Sequence, residues 1–152
     1  MEARMKQPAL VLPAAMPALL GLAKVVSDAA EGSALPEMEL IFLRASQING
    51  CSVCVHMHAR DARKAGESDD RLDGVAVWRE MPYFTDSERA ALALTESLTR
   101  IADEPDAVPD SVYDEAAKYF NEKEMATLIL GIASINVWNR LNAATKQVAG
   151  EW

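Results

Sequence analysis

The stretch MELIFLRASQINGCSVCVHMHARDARKAG, residues 38–66, decides the fold. MELIFLRASQI continues a helix that Ser33 can cap, with Pro36 in its first turn. Glu37 and Glu39 sit near the positive end of its dipole. Asn49-Gly50 is a left-handed stop. A second helix starts near Cys51 and runs to Gly66. The stretch therefore predicts two helices joined by a tight turn, and it holds both cysteines and both histidines of the chain.

The same punctuation extends outward. A helix is predicted from about Ala14 to Ala30, stopping before Gly32. Ser68 opens a short helix from roughly Asp69 to Glu80, interrupted by Gly74 and closed by Pro82. Thr85-Asp-Ser-Glu88 is a capping box for a helix to about Ala102. Pro105 and Pro109 break the chain, and Asp110 caps a helix reaching Tyr119 or Phe120. Asn121-Glu-Lys-Glu124 is a second box, opening a long helix through MATLILGIASINVWNRLNAATKQVA. No alternating strand pattern, repeat or low-complexity linker stands out. The expected fold is all-α, six to seven helices in a single domain over residues 1–152.

Composition agrees. Half the residues are hydrophobic, enough for a core, while aromatics make up only 6%. A formal charge of −8 argues against nucleic acid or anionic membrane as partners, because phosphates would be repelled. ALVLPAAMPALLGLA, residues 9–23, resembles the core of an export signal after Arg4 and Lys6. Lys24 follows at once, and Leu19, Leu22, Ala23 and Val26 recur at helical spacing, so the expected reading is an amphipathic helix of a cytoplasmic protein. No run of about 20 uncharged apolar residues is present to span a membrane.

Two cysteines three apart are not a secreted disulfide framework, and a bridge between them closes too small a loop to stabilise much. Their placement points to chemistry. On a helical wheel with Cys51 at zero, Cys54 falls at roughly 300° and His58 at roughly 340°, whereas His56 falls at roughly 140°. Cys51, Cys54 and His58 share a face, and His56 is a bystander. Cys51 at the helix start gains most from the dipole, and Cys54 gains most from the imidazole one turn away. The histidine favours Cys54 as the attacking thiolate and Cys51 as the resolving thiol, with an external dithiol closing the cycle. With a peroxide, Cys54 would pass through sulfenic acid. A carboxylate orienting His58 is expected from the preceding helix. Glu37 and Glu39 both qualify, and Glu39, Leu43 and Ser46 form one stripe.

The pattern Glu-x6-Ser-x2-Asn-Gly-Cys-x2-Cys-x3-His, at Glu39, Ser46, Asn49, Gly50, Cys51, Cys54 and His58, resembles the alkylhydroperoxidase D-like (AhpD-like), or carboxymuconolactone decarboxylase, family. VWREMPYFTDSERAALALTESLTRI and INVWNRL add to the resemblance, whose motif core spans about residues 36–102. It implies an all-helical homo-oligomer, trimer or hexamer, running a peroxidase cycle without metal, flavin or other cofactor. It makes Cys54 peroxidatic and Cys51 resolving, with Glu39 and His58 as a proton relay and Ser46 and Asn49 in support. The partners implied are a hydroperoxide substrate and an external dithiol reductant. Val53 stands where the family's best-defined peroxidases carry a histidine just before the second cysteine. The family's lactone decarboxylases lack the cysteine pair.

Three rival readings are a decarboxylase, a zinc site using Cys51, Cys54 and His58, and a non-catalytic oligomer that keeps the motif. Trp78, Tyr83, Phe84 and Trp138 read as core or interface, and the methionines as gap fillers. Asn136, Asn139 and Arg140, polar residues in an apolar helix, are expected to hydrogen-bond across a subunit interface or to line the site. The acidic positions 102–115 read as a solvated face.

Overall fold

A computed structural model describes residues 1–150; the expected domain, 1–152, reaches two residues beyond them. Eight α-helices and one 3-10 helix, with no strand, make up the described residues. They are α1 (Pro8–Val11), α2 (Ala15–Ala30), α3 (Met38–Ile48), α4 (Ser52–Ala65), α5 (Asp69–Gly74), the 3-10 helix Val75–Glu80, α6 (Asp86–Thr99), α7 (Asp110–Ala117) and α8 (Glu122–Thr145). The all-α expectation holds.

The centre of the fold is α3, which packs against α4, α6, α8 and the 3-10 helix. Leu40, Ile41, Leu43, Ala45 and Ser46 are each 2% exposed or less, so the helix is covered on several sides. Leu92 and Leu94 of α6 and Leu128 and Ile132 of α8 belong to the same buried interior. Helix α2 lies along α8 and adds Val26 to the same interior. Its predicted stripe faces inward, with Val26 buried and Leu19, Leu22 and Ala23 half-buried, while Leu20 and Val25 stay exposed.

Caps set the boundaries. Both predicted capping boxes form, at Thr85–Glu88 and Asn121–Glu124. Other boundaries move. Helix α3 starts at Met38 with Glu37 as its cap, rather than at Ser33. Pro36 disfavours helical geometry in the residue before it, and Ser33 instead donates its hydroxyl to the Ala30 carbonyl at the end of α2 (2.7 Å). Asp110 occupies the first turn of α7 after Pro109 and makes no side-chain cap. The stretch 69–80 splits into α5 and the 3-10 helix, with Val77 in a non-helical conformation. Helix α6 ends at Thr99, and α8 ends at Thr145, where Lys146 turns left-handed (φ 52°). The single turn α1 has no counterpart in the expected helices; Pro8 opens it and the Gln7 side chain accepts from the Ala9 amide.

Two charged clusters brace the outer helices. Arg71 of α5 bridges Glu67 and Glu88, tying the start of α6 to the segment after α4. Glu96 of α6, 5% exposed, accepts from Arg44 of α3 (2.8 Å), the Trp78 indole (3.0 Å) and Arg79 (2.6 Å). Burial alone raises a carboxyl pKa, but the donors outweigh it and hold Glu96 below the ordinary carboxylate value. The acidic stretch 102–115 is largely exposed, as expected. Among the described residues no helix is long and apolar enough to cross a membrane.

Candidate active site

The site is built on the α3–α4 turn. Asn49 closes α3, and Gly50 takes φ +65°, a conformation that glycine adopts without Cβ strain. The chain then re-enters helix with Cys51 as the N-cap of α4. The Cys51 sulfur accepts the Cys54 amide at 3.3 Å. The two cysteines are joined as a disulfide, with Cα atoms 5.4 Å apart. Both are at most 2% exposed and pack with Ala45, Ile135, Phe42, Val53 and Trp138.

His58 lies one turn past Cys54 and is 7% exposed. Its Nδ1 meets Glu39 Oε2 at 2.7 Å, so helix α3 supplies the carboxylate. Glu39 rather than Glu37 makes this contact; Glu37 accepts the Glu39 amide as the cap of α3. When Glu39 accepts from Nδ1–H, a neutral imidazole carries its lone pair on Nε2. That Nε2 is buried and has no hydrogen-bond partner within the protein. The Phe42 ring lies 5.2 Å from the imidazole, centroid to centroid, and holds it from the side. His56 is exposed, on the other face of α4.

The side-chain hydrogen bonds of Ser46 and Asn49 go to α8 rather than to the sulfurs. They anchor the turn to α8. Asn49 donates to Asn136 (3.0 Å) and Asn139 (2.8 Å), and Asn139 donates to the fully buried Ser46 hydroxyl (3.0 Å). Arg140 donates to the Asn136 side chain at 2.8 Å. Asn136 and Asn139 are buried and hydrogen-bond within the chain, whereas Arg140 beside them is exposed. One further residue of this helix reaches the site directly: Asn142 Nδ2 donates to the Cys54 sulfur at 3.4 Å. Asn142 was not among the residues expected at the site. The signal was present, since Asn136, Asn139 and Asn142 recur every three residues on one helix.

A cleft of about 970 Å³ opens between α2, α3, α4 and α8. Its lining includes Leu20, Ala23, Phe42, Met57, Ile135 and Trp138, with Glu39, Cys54, His58 and Asn142 forming a polar patch. Val53 also lines it. Cys51 is not among the lining residues, so the cleft leads to Cys54. Trp138 is thus a wall of the cleft, whereas Trp78 and Phe84 are core. Among the described residues, no group of three or more His, Cys, Asp or Glu is arranged to hold a metal ion.

An all-helical bundle with a buried cysteine pair beside a Glu–His pair defines a narrow class of proteins. The chain belongs to the carboxymuconolactone decarboxylase family, which it matches over residues 13–97. It is 41% identical over 106 residues to the uncharacterized protein YdfG of Bacillus subtilis, covering 70% of this chain and 71% of that protein. It is 30% identical over 105 residues to the uncharacterized protein YnjA of Escherichia coli, covering 69% of this chain and 56% of that one. Its fold is similar to a crystal structure from Agrobacterium tumefaciens, a protein of unknown function and candidate antioxidant defence protein AhpD. The TM-score is 0.88 at 32% identity, covering 99% of this chain and all of that one.

Proposed function

We propose that the chain is a thiol peroxidase that reduces organic hydroperoxides through Cys54 and Cys51. The observation that carries the reading is the hydrogen bond from His58 Nδ1 to Glu39, which leaves a buried, unpartnered Nε2 one turn from a cysteine at the end of an apolar cleft. In the cycle, His58 Nε2 takes the Cys54 proton. The thiolate attacks one peroxide oxygen, the O–O bond breaks, and the imidazolium returns the proton to the departing alkoxide as an alcohol. Cys54 is then a sulfenic acid. The Cys51 thiol attacks that sulfur, water leaves, and the disulfide forms. An external dithiol exchanges with the disulfide and restores both thiols while itself becoming oxidised.

Val53, in place of the histidine that the family's best-defined peroxidases carry, removes one polar group from the cleft wall. Glu39 and His58 then carry the proton relay alone. The cysteine pair favours this reading over a lactone decarboxylase. The whole chain works as one domain and assembles with copies of itself, a reading that the exposed Leu10, Leu12, Leu20 and Val25 support. The cytoplasm, which keeps thiols reduced, suits this cycle.

The test is peroxide consumption by the reduced protein, with an organic hydroperoxide as substrate and a small dithiol as reductant. Cys54→Ser abolishes turnover, and His58→Gln slows Cys54 oxidation on the order of 100-fold. Survival of both thiols in millimolar peroxide counts against the reading.

A further inference from the structure

The two sulfurs compete for the role of nucleophile, and the helix favours the wrong one. Cys51 caps α4, where the dipole stabilises negative charge, and its sulfur already accepts the Cys54 amide. By these terms alone Cys51 would hold the better thiolate. Yet the cleft reaches Cys54. The hydrogen bond to the Cys54 sulfur from outside its own helix comes from the Asn142 side chain, 88 residues away.

Resting on the dithiol reading above, we propose that Asn142 selects Cys54 over Cys51 as the sulfur that carries the negative charge and attacks. The residue is well placed for the task. It continues the stripe of Asn136 and Asn139, which fix α8 against the α3–α4 turn and so fix the height of Asn142 over α4. An amide N–H stabilises a charged acceptor more than a neutral one, so the bond strengthens as the thiol loses its proton.

The test uses single-thiol proteins, so that each sulfur is read alone. In a Cys51→Ser background, Asn142→Leu removes the donor at similar volume, and Asn142→Asp replaces it with an acceptor. Thiolate absorbance against pH gives the ionisation midpoint, and the alkylation rate with iodoacetamide at neutral pH gives reactivity. The leucine variant is expected to raise the Cys54 midpoint by about one pH unit and to slow alkylation about tenfold. The aspartate variant raises the midpoint further. In a Cys54→Ser background, the same changes at Asn142 leave the Cys51 midpoint where it was. Asn142 is half-buried, so both variants are expected to fold. An unmoved Cys54 midpoint in both variants, or equal shifts at the two cysteines, overturns the proposal. Because the probe is an alkylating agent, the result stands whether or not peroxide proves to be the substrate.

Discussion

Replacing Glu96 by glutamine tests the electrostatics that hold α3, and with it Glu39, in position. Glu96 sits between three arginines and an indole, yet the partners are unequal. The Arg44 side chain is 11% exposed, against 58% for Arg79 and 42% for Arg100. Pairs as exposed as the last two contribute at most about 1 kcal/mol each. The pair with Arg44 is different, since removing one partner of a buried pair leaves the other charge uncompensated, at about 3–5 kcal/mol. Glutamine keeps one acceptor oxygen for Arg44 and Trp78, so the lower end, about 3 kcal/mol, is expected. For a domain of this size that is a fall of about 6–12 °C in melting temperature. The pH dependence adds a second check. The folded-state pKa of Glu96 lies below its ordinary 4.5, so its contribution is complete above that pH and is lost as pH falls through the folded value. Urea unfolding of both proteins at neutral and acidic pH should therefore show a gap that narrows in acid. A loss under about 1 kcal/mol at neutral pH refutes the buried-charge argument, as does a gap that stays constant down to the acid limit.

Three further outcomes follow from the site. Gly50→Ala should cost about 1 kcal/mol in urea unfolding, purely from its left-handed φ, because a Cβ there meets nothing within 4 Å. Asn139→Leu strips the Ser46 hydroxyl and the Asn49 amide of a partner, and a loss of about 2 kcal/mol is expected by the same measurement. Glu39→Gln weakens the hold on the His58 tautomer, and stopped-flow oxidation of Cys54 should slow about tenfold with stability nearly unchanged.

What the sequence made legible was local. Cys51, Cys54 and His58 lie within two turns of one helix, so helical spacing alone brought them together and set His56 aside. The Asn49-Gly50 stop and the two capping boxes are likewise read from neighbouring residues. Choosing Glu39 over Glu37 needed more, because the contact to His58 depends on how α3 lies against α4. Position along a helix does not encode that crossing; the family resemblance supplied it. Asn142 and Glu96 were missed for the same reason. Each acts on a residue far away in the chain: Glu96 does not look unusual beside its neighbours, and the spacing that links Asn142 to Asn136 and Asn139 does not say which residue it meets. In α8, Asn136 and Asn139 stood out as polar residues in an apolar helix, but their partners Asn49 and Ser46 depend on how α8 lies against the α3–α4 turn. The early end of α8 at Thr145 also lacks a sequence sign, since its left-handed residue is a lysine rather than a glycine.

The central claim is that Cys54 is oxidised first and Cys51 resolves it. The most direct measurement is the intact mass of the reduced protein after one equivalent of an organic hydroperoxide, beside the Cys51→Ser variant. The account predicts that the native protein loses two hydrogens as the disulfide forms, and that Cys51→Ser gains one oxygen on Cys54. An unchanged mass in both would contradict it, as would an oxygen gained by Cys54→Ser on Cys51 while Cys51→Ser stays unmodified.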